Sequence, residues 1–113
     1  MQKLLLFKGR RKAGSLELEV GEYAVGRSIT SDLQLDDPIV SRTHALLTVE
    51  EGGVFIKDAN SASGMTVNDR EVLRARLLAG DRVQIGPFTL VLSDDEIGVG
   101  ASMDLPTVAD WNR

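Results

Sequence analysis

Turn-forming residues interrupt this 113-residue chain every several positions, and that spacing is the strongest constraint on its fold. The turn signals are Gly21-Glu22, Glu51-Gly52-Gly53, Asn68-Asp69, Ala79-Gly80-Asp81 and Gly86-Pro87. The segments between them are short and rich in aliphatic and β-branched residues, and none has the 3.6-residue apolar period of a helix. About ten short strands with turns at such intervals predict an all-β sandwich.

Alternation of apolar and polar residues supports this prediction within individual segments. Between Ser15 and Val20, the side chains of Leu16, Leu18 and Val20 fall on one face, as expected for a half-buried strand. We expect the loop before this strand to be the basic run 8–12, a solvated hairpin loop unless an acidic partner or nucleic acid binds it.

Composition limits the classes of protein to which the chain can belong. An apolar content of 42% over 113 residues is enough for one folded domain. Cysteine is absent and histidine occurs once, which excludes disulfides and thiolate or histidine-rich metal sites. The net charge of −4 disfavours general nucleic-acid binding, and no apolar run is long enough for a membrane span. We therefore expect a cytoplasmic protein without cofactors, nucleic-acid ligands or membrane attachment.

A candidate phosphate site lies between Gly26 and His44. Arg27, Ser41 and Arg42 offer two guanidinium groups and a hydroxyl on a stretch that reads mainly as loop. The forked donors of arginine match the spacing of phosphate oxygens, and a hydroxyl can donate to the same anion. This pattern favours a loop-built phosphate pocket.

Catalysis by the same residues is disfavoured. Ser41 and His44 are three positions apart, but a nucleophile also needs an oriented base and an oxyanion hole, and no sequence feature marks either. The chain also lacks a glycine-rich nucleotide loop ending in Lys-Ser or Lys-Thr. We expect a binding module and not an enzyme.

Three sequence blocks, in this order and spacing, resemble the signature of forkhead-associated domains. They are Gly26-Arg27-Ser28, Ser41-Arg42-Thr43-His44 and Asp58-Ala59-Asn60-Ser61-Ala62-Ser63-Gly64, and the resemblance continues through Val67-Asn68 and 80–86. It covers roughly residues 3 to 93. The resemblance implies an eleven-stranded β-sandwich whose loops at one end bind phosphothreonine peptides.

The resemblance also implies a role for each matching residue. Arg27 and Ser41 would contact the phosphate, and Arg42 would add a further contact. His44 would brace the loops from behind. Gly26 and Gly64 would allow the backbone to turn.

The third block departs from the family pattern, which usually ends serine-threonine-asparagine-glycine-threonine. This chain has Ala62 and Ser63 where the family has the threonine and the asparagine that contact the peptide. Serine makes fewer and shorter-reaching hydrogen bonds than asparagine, and alanine makes none with its side chain. The departure keeps a second interpretation open, in which the same fold is a phosphate-independent interaction or scaffold module.

The last twenty residues differ in character from the rest of the chain. We predict a domain at 1–93 and a flexible acidic tail or linker at 94–113. Thr107 in this tail is followed three residues later by Asp110, a spacing that resembles some ligands of forkhead-associated domains. Phosphorylated Thr107 is therefore a candidate ligand for the module itself, by head-to-tail self-association.

Overall fold

The computed structural model describes residues 2–94, which form eleven strands and no helix. The strands are β1 (Gln2–Lys8), β2 (Arg11–Glu17), β3 (Gly21–Gly26), β4 (Leu33–Gln34), β5 (Ala45–Glu50), β6 (Gly53–Asp58), β7 (Thr66–Val67), β8 (Arg70–Glu71), β9 (Arg74–Leu77), β10 (Arg82–Ile85) and β11 (Phe88–Asp94). One sheet has the order β2-β1-β11-β10-β7-β8 and the other β4-β3-β5-β6-β9. The predicted all-β, eleven-stranded sandwich is confirmed.

Alternating burial along the strands packs the two sheets against each other. In β5, Ala45, Leu47 and Val49 are buried and the residues between them are more exposed. In β10, Val83 and Ile85 are buried in the same way. Burial of apolar surface, which contributes about 25 cal/mol of stabilising free energy per Å², is the main contribution to the stability of such a core.

The predicted turns account for most of the strand boundaries. Asn68 and Asp69 both have positive φ, 51° and 69°, which is the conformation of a two-residue hairpin turn between β7 and β8. Gly86 has φ 57° in the turn between β10 and β11.

The second strand differs from the prediction. β2 runs from Arg11 to Glu17, so the turn before it is shorter than the predicted basic loop. Val20 is 71% exposed, and its predicted burial beside Leu16 and Leu18 is therefore wrong. The reason is that the chain leaves the first sheet after Leu18, whose N–H still donates to the Gln2 carbonyl, and crosses to β3, so the alternation does not continue to Val20.

Strand register places several loops at one end of the sandwich, which we call the loop end. Lys8 pairs with Phe88, and β7, which follows Gly64, pairs with β10 just before the Gly86 turn. The other end of the first sheet carries the pair Gln2 and Asp94. Asp94, which was predicted to begin the tail, is thus the last residue of β11. Residues 2–94 contain no helix long and apolar enough to cross a membrane.

Candidate functional site

Main-chain hydrogen bonds join the segment after β3 to the segment before β5. The Arg27 N–H donates to the Ser41 carbonyl at 3.0 Å, and the Ser28 N–H donates to the Arg42 carbonyl at 3.2 Å. Gly26 makes this approach possible, because a Cβ at that position would lie 2.1 Å from the Arg42 carbonyl oxygen. The pairing thus brings Arg27, Ser41 and Arg42 to one place at the loop end.

The two arginine side chains are available to a ligand. Arg27 and Arg42 are both exposed. Within residues 2–94, neither guanidinium group forms a hydrogen bond or an ion pair with the protein. Unpaired guanidinium groups on two segments that the backbone joins are suited to an anion with several oxygen atoms.

Ser41 connects these arginines to the loop after β6. The Ala62 backbone N–H donates to Ser41 Oγ at 3.0 Å. Because Oγ acts as the acceptor in that bond, its own hydrogen remains free to donate to a ligand. Ala62 therefore belongs to the site through its backbone, a contribution that no side-chain pattern could have predicted.

His44 is fully buried behind the same loops, with 0% of its surface exposed. Its Nδ1 accepts a hydrogen bond from the Ser41 N–H at 3.1 Å, and its Nε2 lies 2.8 Å from the Gly64 carbonyl oxygen. An Nδ1 that accepts carries no proton, so the neutral ring donates from Nε2 to Gly64. The histidine thereby links the backbone of two loops.

The loop after β6 is shaped by Asp58 and Ser61, two residues of the third sequence block to which no role was assigned from the sequence. Asp58 accepts hydrogen bonds from the backbone N–H and the hydroxyl of Ser61, and Ser61 Oγ in turn accepts from the Gly64 N–H. Asn60 and Gly64 have φ of 61° and 77°. The signal for this turn is the Asp-x-x-Ser spacing, since such short polar side chains commonly bond to nearby backbone.

Ser63 is exposed and bonded within the protein. Its hydroxyl donates to the Ile39 carbonyl at 3.2 Å, which ties the loop after β6 to the segment before Ser41. Ala62 and Ser63 are both exposed at the loop end. All the residues predicted for the site within 2–94 are therefore brought together, whereas Thr107 lies outside the described residues.

The geometry of Ser41 and His44 lacks the contact that a serine nucleophile requires. The imidazole contacts the backbone of Ser41 and not its hydroxyl, and its other nitrogen is occupied by Gly64. A serine nucleophile needs a ring nitrogen bonded to its hydroxyl. Residues 2–94 also contain no group of three or more His, Cys, Asp or Glu that could hold a metal ion.

Comparison with known proteins gives a family match whose range includes these loops. The family model described as FHA domain matches residues 23–86. The chain is 43% identical over 89 residues to the "Glycogen accumulation regulator GarA" of Mycolicibacterium smegmatis, an alignment covering 78% of this chain and 56% of that protein. The chain spans little more than half the length of the curated relatives it matches.

The fold of this chain is also similar to solved structures of FHA domains. The FhaA FHA domain, solved in complex with the intracellular domain of Rv3910, superimposes with a TM-score of 0.74 at 27% identity, covering 81% of this chain and 99% of that one. A chain from "Structural and functional analysis of phosphothreonine-dependent FHA domain interactions" has a TM-score of 0.75 at 27% identity, covering 82% and 95%. With its sandwich, its loop end and the family match over residues 23–86, this chain belongs to the forkhead-associated (FHA) domain family.

Proposed function

We propose that this chain is a phosphothreonine-dependent protein-binding module, with the loop end as its binding surface. The observation that carries the proposal is the unpaired state of Arg27 and Arg42 beside a serine hydroxyl that still has its proton to donate. A phosphate group with a charge of about −1.5 to −2 supplies the acceptor oxygens that these donors lack.

Each predicted residue has a distinct part in this proposal. Arg27 binds the phosphate with its fork, Ser41 donates its hydroxyl, and Arg42 adds a second cation. Ala62 and Ser63 line the path of the peptide backbone beyond the phosphate. Gly26, His44 and Gly64 keep the loops in place and make no contact with the ligand.

The comparisons support this class of ligand. One similar structure is described as a study of phosphothreonine-dependent FHA domain interactions, and another is a complex with a protein domain. The similar bacterial protein is named a regulator, which is consistent with a binding role and does not suggest an enzyme. For this chain we therefore propose a phosphorylated protein partner and no catalytic activity.

The competing proposal is a phosphate-independent interaction module on the same fold. The bond from Ser63 to Ile39 favours it, because this hydroxyl is already occupied within the protein and is shorter than the asparagine of the family pattern. The unpaired arginines oppose it, since a phosphate-independent surface has no need of two neighbouring cations without acidic partners.

A titration with two peptides of one sequence, phosphorylated and unphosphorylated at threonine, distinguishes these proposals. Phosphothreonine binding predicts that only the phosphorylated peptide binds, and that free phosphate at high concentration competes with it. Equal affinity for both peptides would contradict the proposal and favour the phosphate-independent module. A phosphoserine version of the peptide measures whether Ala62 preserves selectivity for threonine.

Two further expectations accompany this proposal. Phosphorylated Thr107 is proposed as a ligand for the loop end of a neighbouring copy, and this residue lies outside the described residues. The cytoplasmic location expected from the sequence stays a prediction.

A further inference from the structure

The basic run that the proposed function leaves unused lies at the same end of the sandwich as the phosphate loops. Lys8 pairs with Phe88 at the last position of β1, so the Gly9-Arg10 turn projects at the loop end. Gly9 donates a hydrogen bond to the Pro87 carbonyl at 3.4 Å, which holds this turn against the turn between β10 and β11. From sequence alone, the run at 8–12 could have been at either end.

A continuous series of contacts leads from the phosphate loops to this turn. Ser63 bonds to Ile39, and the Ile39 side chain lies against Gly86, where a Cβ would be 2.7 Å from it. Gly86 precedes Pro87, which accepts the bond from Gly9. Between β7, which follows the phosphate loop, and β1 there are three strand spacings of about 4.8 Å, or about 14 Å in all.

The cations in the turn and at the start of β2 have no acidic partners within residues 2–94. Arg10, Arg11 and Lys12 are exposed, and within residues 2–94 their side chains form no hydrogen bond or ion pair. Lys8 is placed differently, because its ammonium group lies 5.5 Å from the centre of the Phe88 ring. In a chain of net charge −4, these adjacent cations form a local excess of positive charge.

We propose that Arg10 and Arg11 form a secondary subsite that binds acidic residues on one flank of the phosphothreonine peptide. The inference rests on the proposed function and specifies its ligand. An extended peptide advances about 3.3 Å per residue, so at least about four residues are needed to span the three strand spacings between β7 and β1. The ligand class is a phosphothreonine peptide with aspartate, glutamate or a second phosphate four or more residues away.

A groove beside the phosphate loops restricts which positions of the peptide can carry acidic residues. It has a volume of about 210 Å³, and its lining includes Ile39, Ser63, Glu71 and Gly86. The Glu71 carboxylate would repel an acidic residue held in the groove. We therefore expect acidic residues next to the phosphothreonine to add nothing, and those farther along to strengthen binding.

Salt screening limits the electrostatic attraction between the basic turn and a phosphate group bound at the phosphate loops. At physiological ionic strength the Debye length is about 8 Å, shorter than the separation of about 14 Å between β1, which ends at the turn, and β7, which follows the phosphate loop. The turn therefore has little effect on the phosphate group itself. Removing its charges should weaken only those peptides whose acidic residues reach it.

The test uses four peptides: a phosphothreonine peptide with neutral flanks, two versions with acidic residues four to seven positions away on either flank, and an acidic peptide without phosphate. The protein variants are Arg10→Gln/Arg11→Gln and a control of equal charge, Arg76→Gln/Arg82→Gln. Arg76 and Arg82 lie in β9 and β10 and bond to Gly52 and Asp69. Equal melting curves for the first variant and the wild type exclude a folding effect.

We expect one acidic flank to increase affinity about three- to tenfold over neutral flanks, the range for one or two exposed ion pairs. Arg10→Gln/Arg11→Gln should abolish that gain and leave the affinity for the neutral-flank peptide unchanged, whereas the control variant should keep the gain. Equal affinity for all phosphorylated peptides, or a gain that persists in the variant, would overturn the inference.

Two other results, one with the neutral-flank phosphopeptide and one with an oligonucleotide, have different consequences for the inference. If the neutral-flank phosphopeptide does not bind, the proposed function itself fails, and this inference fails with it. A single-stranded DNA oligonucleotide serves as a further ligand. Binding of the oligonucleotide that depends on Arg10 and Arg11 and matches that of the acidic-flank peptide would overturn the assignment to an acidic peptide.

Discussion

Ser41 and Ala62 are joined across two loops by a hydrogen bond of 3.0 Å, donated by the Ala62 backbone to the serine hydroxyl oxygen. The same hydroxyl keeps its proton for a ligand. One side chain therefore joins the two loops and presents a donor next to Arg42 in the sequence. His44 acts on the backbone of Ser41 from the buried side, so the two residues should respond differently to substitution.

The first prediction compares His44→Ala with Ser41→Ala. Loss of the buried ring leaves the Ser41 N–H and the Gly64 carbonyl without partners and opens a cavity, at a cost of about 2–4 kcal/mol in folding free energy. Ser41→Ala removes an exposed bond and should cost less than about 1 kcal/mol of stability while reducing phosphopeptide affinity about tenfold or more.

Thermal unfolding and peptide titration of both variants test this difference. We expect His44→Ala to lower the melting temperature by roughly 10 °C or more and to weaken binding as well. Equal melting temperatures for His44→Ala and the wild type would contradict the bracing role of the histidine.

The second prediction concerns Gly26→Ala. The new methyl group would lie 2.1 Å from the Arg42 carbonyl oxygen, and the backbone must move to relieve that clash. We expect a loss of at least about 2–3 kcal/mol in the free energy of unfolding, together with loss of phosphopeptide binding. Gly52→Ala is the matched control, because a Cβ there meets no atom within 4 Å and should change stability by no more than about 0.5 kcal/mol. Denaturant unfolding that gave the two variants equal stability would refute the steric argument.

Local signals predicted the strands and turns well. Asn68-Asp69 forms the expected hairpin turn because both residues tolerate positive φ. The exposure of Val20 was not predictable from alternation alone, because it depends on where the chain leaves one sheet for the other. Local patterns carry no information about that crossing.

At the candidate site, the contributions of side chains could be predicted from the sequence, whereas the contributions of backbone groups could not. The pattern that contains Arg27 and Arg42 indicated a phosphate pocket because the forked donors of a guanidinium group are a property of the residue type, which the sequence shows directly. The contribution of Ala62 is a backbone N–H, which every residue except proline has, so its role depends on the fold. The position of the Gly9-Arg10 turn at the loop end likewise follows from long-range strand pairing.

The third prediction uses Ser63→Asn. An asparagine amide at this exposed position reaches farther than the hydroxyl and carries two donors and an acceptor for the peptide backbone. One additional net hydrogen bond should strengthen binding by about 0.5–1.5 kcal/mol. Calorimetric titration of the same phosphopeptide with Ser63→Asn and Ser63→Ala measures the effect. Unchanged or weaker binding by the asparagine variant would show that this position does not contact the peptide backbone.

The fourth prediction concerns Thr107. Asp94 ends β11 at the opposite end of the sandwich from the loop end. The twelve residues that follow Asp95 up to Thr107 reach at most about 43 Å when taut, and the longest dimension of the domain is 40 Å. Self-closure would order all of these residues at about 1 kcal/mol each. We therefore expect phosphorylation of Thr107 to produce association between chains.

Solution mass of the Thr107-phosphorylated protein tests this association. The mass should increase with protein concentration, and the Arg27→Ala variant, phosphorylated in the same way, should remain monomeric. A phosphorylated wild-type protein that stays monomeric, with the NMR resonances of Arg27 and Ser41 unchanged, would contradict the prediction that phosphorylated Thr107 is a ligand.

The fifth prediction tests the central claim at Arg27, whose exposed guanidinium group has no partner within residues 2–94. Truncating one member of a charge pair at an interface costs about 2–5 kcal/mol, out of about 8 kcal/mol for micromolar binding. The decisive measurement is a phosphothreonine-peptide titration of wild type, Arg27→Lys and Arg27→Ala, each with a melting curve. We predict equal melting temperatures, partial binding by the lysine variant and no detectable binding by the alanine variant. Wild-type affinity in Arg27→Ala would contradict the assignment of the loop end as a phosphate site.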